Sequence, residues 1–445
     1  MNRLVARLFG SWLLLSALSL VVLCCCSLAA LNSRSMKQLS PIDEGVHLDY
    51  VDRASNFEIP RTGDFMGQNS LQITACMGIS LPGIVLPACG PGPYVPAEFP
   101  GGGFQYEAQQ PPLYYFVTAP MRPFVQFFAG TRDYTMSLRL TGAIWLAVGL
   151  IVLWFAGRKF EVDEWTLVGA IFVAGCAPNV VYYSSIVSND AASILAGSIA
   201  ALAIAPCIKS PPSRQRTFAL FAVGFAVAML KPMNVLPLGA LALFLFALHA
   251  SRNPKWRDER RRFFLQWLRG GGSLVTGGGV AVATWYLIYS RIGYVDPKTM
   301  PVFAGLAISG FPIATVFSQG SALLGLATDS AASPGLAQPS GVLFRVLTRA
   351  IFITAGLAGL FSVRRTWEHL LGLATILVLI VGGVGISPVF WLSLKMDPGV
   401  PSRYGLPLVP LLVIVMAAHD GNRLRQLSIW GIGTGLFVTT LIGVM

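Results

Sequence analysis

The chain alternates long apolar runs with short polar joints, and the runs recur at roughly 17 to 25 residues, enough for a helix to cross about 30 Å of hydrocarbon. Candidate spans cover residues 8–31, 139–157, 166–187, 191–208, 216–231, 233–250, 271–290, 346–363, 368–386, 404–418 and 427–445. A backbone in lipid must satisfy its own N–H and C=O groups, so these runs predict helices. The expected fold is all-α, a polytopic membrane bundle of about 11 transmembrane helices with a large extracytoplasmic first loop carrying interfacial helices. It reads as a single membrane domain over 1–445, with a signal-anchor span over 1–31, the first loop over 32–138, and the remaining spans and loops over 139–445. The first apolar run exceeds the roughly 7 to 15 residues of a signal-peptide core, hence the reading as an anchor.

The polar joints carry the orientation. If Arg3 and Arg7 precede the first span on the cytoplasmic side, the connections returning there hold Arg158 and Lys159, Lys209, Arg214 and Arg216, Arg252 through Arg269, Arg364 and Arg365, and Arg423 and Arg425. The connections on the other face carry little positive charge: none at 188–190, Lys231 alone, and two cations in 387–403. The positive-inside rule then puts the N-terminus in the cytoplasm of a multi-pass protein of the cell membrane. This count requires that 111–128 lie at or dip into the outer surface without crossing. Its two leading prolines, Pro120, Pro123 and Arg122 suit an interfacial or re-entrant helix.

Composition agrees, since 54% hydrophobic and 12% charged residues do not describe a soluble protein. The net charge of +12 sits in short clusters without interleaved aromatics, which excludes a nucleic-acid partner. The run from Arg252 to Arg262, with Trp256, Phe263 and Phe264, reads as an anionic-lipid contact. Cys76 and Cys89 share the first loop, either paired as a disulfide or kept as two buried thiols. Cys176 and Cys207 fall in spans and read as packing residues.

On this topology Asp43, Glu44, His47, Glu107, Gln109, Arg139, Asp190, Lys231, Lys395 and Arg403 all project toward the outer face. Carboxylates beside separate cations suit a reaction in which a base takes a proton from an acceptor while cations hold a departing phosphate. A secondary transporter or lipid flippase is the competing class, but no internal repeat is visible and the charges stand at span ends. A third reading is a non-catalytic partner in envelope assembly.

Four pieces carry a family likeness: Pro41-Ile42-Asp43-Glu44-Gly45-Val46-His47 after the first span, Glu107-Ala-Gln-Gln-Pro-Pro-Leu-Tyr-Tyr115, Ser188-Asn189-Asp190-Ala191, and Ser402-Arg403-Tyr404. In this order and spacing they resemble the GT-C superfamily of integral-membrane glycosyltransferases, most nearly a bacterial branch similar to aminoarabinose transferases and protein O-mannosyltransferases. The chain departs from that pattern at Gln109 and Gln110, where related sequences often have histidine ahead of the Pro-Pro pair. The resemblance implies transfer of a sugar from a polyprenyl-phosphate donor to an acceptor hydroxyl on the extracytoplasmic face, with inversion, in cell-envelope glycan or glycolipid assembly. The acceptor, whether glycan, lipid or protein, is left open.

The general base it implies is Asp43, with Glu44 second, and Asp190 is either a further acidic group near the acceptor or a helix cap. Arg403, Arg139 and Lys231 are expected at the phosphate, where a guanidinium offers two parallel hydrogen bonds. His47, Glu107, Gln109 and Tyr404 would line the substrate. No cofactor is certain, and a divalent cation, Mg2+ or Mn2+, at Asp43, Glu44 and His47 is kept open because the three would share one helical face.

Overall fold

The computed structural model describes residues 2–253, 259–293, 295, 300–326, 339–360, 366–397, 399–418 and 422–444. Lys255, Trp256, Arg257, Arg364 and Arg365, which entered the topology argument, lie outside these residues. Every regular element among the described residues is a helix. The long α1 (Asn2–Ser35) leads to a first loop built of α2 (Glu44–Ser55), α3 (Gln68–Met77), α4 (Leu113–Thr118) and α5 (Met121–Ala129). The middle of the bundle is α6 (Tyr134–Lys159), α7 (Glu164–Gly175), α8 (Pro178–Tyr183), α9 (Ser193–Ile204), α10 (Arg214–Leu230) and α11 (Val235–Arg252). There follow α12 (Arg260–Trp267), α13 (Ser273–Ile292), α14 (Pro301–Ala304), α15 (Ile313–Gln319) and α16 (Pro339–Leu357), then α17 (Trp367–Leu394), α18 (Val409–Ala418) and α19 (Arg423–Val444).

Seven helices among the described residues are long and apolar enough to cross a membrane. The expected count of eleven therefore depends on shorter or broken elements and is not established by these seven. The run 166–187 is one of those elements. It divides into α7 and α8 because Pro178 has no N–H to continue the first helix and takes the first position of the second. The run at 404–418 likewise opens as a 3-10 turn over Ser402–Leu408 before α18. Segment 111–128 becomes α4 and α5, and the nine residues of α5 rise only about 13 Å. That is too short to cross, and α5 leaves Phe124, Phe127 and Phe128 exposed, as an interfacial helix does.

Side-chain contacts sort the helix ends into two faces. At one, Arg252 donates to the Ile208 carbonyl at 2.6 Å, Arg158 pairs with Glu164 at 3.0 Å, and Lys209 pairs with Glu161. Arg425 joins this face through the Met416 carbonyl and Gln426 through Asp163. The opposite ends of the same helices carry Asp190, Lys231 and Arg403. Thus, among the described residues, these basic joints lie together on one face and the site residues at the opposite helix ends on the other.

Two close approaches set where helices meet. A Cβ at Gly224 would stand 2.0 Å from the Leu274 carbonyl, and one at Gly277 2.0 Å from that of Phe221, so α10 and α13 touch backbone to backbone. At Gly197 the added atom would stand 2.0 Å from the Pro407 carbonyl. That absence of a side chain lets the Ser402–Leu408 turn press onto α9, bringing Arg403 to the helix that follows Asp190.

Cys76 and Cys89 are joined by a disulfide that ties the end of α3 to the Gly/Pro-rich stretch across 13 residues. Closing a loop of that size removes unfolded-state entropy worth roughly 3 kcal/mol in the chain-entropy model. Cys76→Ser is expected to lower the unfolding temperature of the detergent-solubilised protein, and dithiothreitol is expected to lower that of the wild type to the same value. A variant that melts like the oxidised wild type would count against this role.

Candidate active site

The acidic cluster splits in two at adjacent residues. Glu44, the first residue of α2, is fully buried and forms a two-pronged ion pair with Arg139 of α6, Nε to Oε1 and Nη2 to Oε2, both at 2.8 Å. Its oxygens also accept from the backbone N–H of Ser40 at 2.7 Å and of Val187 at 3.1 Å. Arg139 spends its remaining donors on the Met36 and Gln38 carbonyls, each at 2.8 Å. Charge, lone pairs and donors are all consumed within the pair, which clamps the end of α1, the start of α2, α6 and the turn at 187. The expectation of Glu44 as an alternative base and Arg139 as a phosphate contact is corrected accordingly, because neither has a free group to offer a substrate.

Asp43 points the other way. It takes the left-handed conformation, φ 58° and ψ 12°, which Asp tolerates better than most residues. Although it precedes α2, its side chain makes no capping bond there. Oδ1 accepts from the Tyr106 hydroxyl at 2.9 Å, while Oδ2 lies 3.8 Å from Arg403 Nη2. The side chain is 30% exposed, so this carboxylate is held but accessible. Burial raises its pKa above the ordinary aspartate value, and Arg403 and the Tyr106 hydrogen bond oppose that rise. Strained backbone at a reactive side chain is a recurrent property of functional sites.

Arg403 links Asp43 to a second carboxylate. Its Nε stands 3.3 Å from Asp190 Oδ2, and the other Asp190 oxygen pairs with Lys231, with both side chains of that pair buried. Lys231 arrives from the end of α10 and lies 5.1 Å from the centre of the Tyr404 ring, with Arg403 5.4 Å from the same ring and 5.9 Å from that of Tyr183. Asp190 therefore does not cap a helix. The capping there is done by Ser188, whose hydroxyl accepts from the Asp190 N–H.

His47 is buried, with Nδ1 2.8 Å from the Tyr115 hydroxyl. Burial, against the pull of Asp190 and with the push of Lys231 and Arg403, lowers its pKa to about 3, so the ring is neutral at pH 7. Among the described residues no three His, Cys, Asp or Glu side chains form a set that could hold a metal ion. The face proposed for Asp43, Glu44 and His47 fails because Asp43 stands outside the helix and each of the three has turned to a different partner.

The motif at 107–115 is anchored through both its backbone and its side chains. The Gln109 carbonyl accepts from Trp285 Nε1 at 2.7 Å, and Gln110 Oε1 accepts from Asn189 at 3.0 Å. Glu107 is buried and its Oε2 has no hydrogen-bond partner. Lys395 is occupied by the Trp391 ring, 3.6 Å away. Three participants went unassigned at the level of sequence: Tyr106, Tyr183 and the buried Gln105, whose Nε2 donates to the Val46 carbonyl at 2.7 Å and to Asp49 at 2.9 Å. Tyr106 was signalled only by its place beside Glu107; nothing local marks Tyr183 or Gln105.

The site thus holds an accessible carboxylate, Asp43, facing two cations, the partly exposed Arg403 and the buried Lys231, that share one further carboxylate, Asp190. Charges so placed can accept a proton on one side and stabilise an anion on the other.

Residues 110–264 match the family model of dolichyl-phosphate-mannose-protein mannosyltransferases. No curated protein matches the chain. Among solved structures the chain is similar to the archaeal oligosaccharyltransferase AglB from Archaeoglobus fulgidus, solved in complex with an inhibitory peptide and a dolichol-phosphate. That likeness has 14% identity and a TM-score of 0.43, and it covers 98% of this chain and 56% of that one. The chain therefore spans little more than half the length of that protein. The family match begins at Gln110 and takes in Asp190 and Lys231. The matched stretch is about a third of the chain; the motifs at 41–47 and 402–404 lie outside it.

Proposed function

We propose that this face transfers one glycosyl unit from a polyprenyl-phosphate donor to an acceptor hydroxyl on the extracytoplasmic side of the cell membrane, with inversion at the anomeric carbon. Asp43 takes the hydroxyl proton as the acceptor oxygen attacks. Arg403, with Lys231 behind it, holds the phosphate as the bond from the anomeric carbon to its oxygen breaks and negative charge develops on the leaving group. Asp190 orients the two cations, and Tyr404 and Tyr183 wall them. The donor class is supported by the family match, whose members are named for a dolichyl-phosphate sugar. The single observation that carries the reading is the 3.8 Å approach of Arg403 to Asp43 across a site open at the carboxylate.

The test is to reconstitute the wild type in lipid vesicles and supply radiolabelled polyprenyl-phosphate mannose, glucose and N-acetylglucosamine with a membrane extract as acceptor. One donor is expected to be consumed with appearance of free polyprenyl phosphate. Arg403→Ala is expected to lower kcat/KM by at least a hundredfold, since it loses a charge-assisted contact that strengthens as the phosphate departs. Movement of an intact labelled lipid between leaflets without loss of its sugar would favour a flippase and sink the proposal.

A further inference from the structure

Four carboxyl-bearing side chains in the first loop and at the helix ends have now been given partners: Glu44 by Arg139, Asp190 by Lys231 and Arg403, Asp43 by Tyr106 and Arg403, and Asp49 by Arg53, Gln105 and the Gly67 N–H. Glu107 is the exception at the site. It is 94% buried by the measure of its 6% exposure, its Oε2 has no partner, and among the described residues no lysine or arginine comes within ion-pairing distance of it. Its backbone is nevertheless tightly held, because its N–H donates to Gln105 Oε1 at 3.0 Å and Gln105 is itself bonded to α2. Its chain neighbour Tyr106 bonds Asp43, which sets Glu107 beside the proposed base.

A buried carboxylate with neither a cation nor a donor on one oxygen costs several kcal/mol, and such a group keeps its proton instead. A protonated carboxyl offers one donor and one acceptor, the same pair that a sugar hydroxyl presents in return. Resting on the sugar-transfer reading, we infer that Glu107 is an uncharged substrate-binding carboxyl that receives a hydroxyl of the transferred sugar and fixes the ring between Asp43 and Arg403. It is not a second base. Electrostatics agree: burial first, then the charge of Asp43, raise its pKa from 4.5 to about 8 against the opposing pull of Lys231 and Arg403.

Two kinds of experiment separate this inference from the reading beneath it. Without turnover, infrared difference spectra of the reconstituted wild type minus Glu107→Gln are expected to show a protonated-carboxyl C=O band at pH 7 that fades as the pH rises through about 8. The corresponding stability is full below pH 4.5 and is lost as the pH passes through about 8, so the wild type should lose melting temperature relative to Glu107→Gln between pH 5 and pH 9. A wild type with no such band, or a melting difference independent of pH, overturns the inference even if sugar transfer is intact.

With turnover, using whichever of the three donors is consumed and its monodeoxy analogues, one deoxy position is expected to lower wild-type kcat/KM at least tenfold, the scale of one lost hydrogen bond in a buried site. Glu107→Ala should be insensitive to that same deletion, and Glu107→Gln should lose the alkaline limb of kcat/KM while paying no more than about tenfold in rate. If Glu107→Gln falls as far in kcat as a variant lacking the base, or if Glu107→Ala keeps the wild-type deoxy sensitivity, Glu107 is no sugar-binding carboxyl. If no donor is consumed at all, the transfer reading fails, and with it the substrate assigned to Glu107, whatever the infrared band shows.

Discussion

Asp43→Asn is expected to lower kcat for sugar transfer by roughly 10²- to 10⁴-fold, the range general-base catalysis contributes, and to leave folding unharmed. Asn matches Asp in size and tolerates the left-handed backbone at φ 58°. It keeps an oxygen to accept the Tyr106 hydrogen bond, and it gives up only a 3.8 Å contact with Arg403. What it cannot do is accept a proton from the attacking hydroxyl. The raised pKa of Asp43 fits that task, because a base whose pKa approaches the working pH transfers protons with better driving force. The readout is single-turnover release of polyprenyl phosphate from labelled donor, paired with the unfolding temperature. A variant with kcat within threefold of wild type would remove Asp43 from the chemistry.

Arg139→Ala is expected to give the largest loss of stability, about 3–5 kcal/mol, because it strands the Glu44 carboxylate in the interior. Arg139 and Glu44 are 1% and 0% exposed, so water cannot replace either partner. The same substitution frees the Met36 and Gln38 carbonyls that hold the chain between α1 and α2. Arg139→Lys should recover little, since an ammonium cannot reproduce the planar fork that meets both Glu44 oxygens. The double variant Arg139→Met with Glu44→Leu is expected to be more stable than Arg139→Ala, because the uncompensated charge is gone. The measurement is thermal unfolding in a fixed detergent, with yield of monodisperse protein as a second readout. Equal melting temperatures for Arg139→Ala and the wild type would refute the clamp.

Together the two expectations assign opposite work to neighbouring residues. Asp43 and Glu44 have the same chemistry and consecutive positions, yet one contributes an open carboxylate and the other an internal staple. The division arises at one backbone angle. The left-handed turn at Asp43 aims its side chain toward Tyr106 and Arg403, while the first residue of α2 faces the bundle, where α6 supplies the counter-ion.

The amino-acid sequence by itself determined that the chain is a helical membrane protein, because the length of an apolar run is a local quantity that lipid thickness converts directly into a span. Its spacing also put the motifs at 41–47, 107–115, 188–191 and 402–404 on one face of the bundle, and Asp43, Asp190 and Arg403 of those motifs do meet. For 111–128 the prolines and Arg122 spoke against a crossing, and the segment is broken into α4 and α5, each too short to span, with Tyr114 and Tyr115 of α4 buried in the core.

Only tertiary structure decided which charges pair. Arg139, Lys231 and Arg403 are equivalent as cations in a string of letters. Arg139 is consumed because a carboxylate 95 residues away fits its fork, and Arg403 stays at the site because glycine at 197 lets its turn settle against α9. The isolation of Glu107 and the recruitment of Tyr106, Tyr183 and Gln105 are likewise consequences of packing. Electrostatic energy depends on distance and burial, and neither exists until distant segments meet.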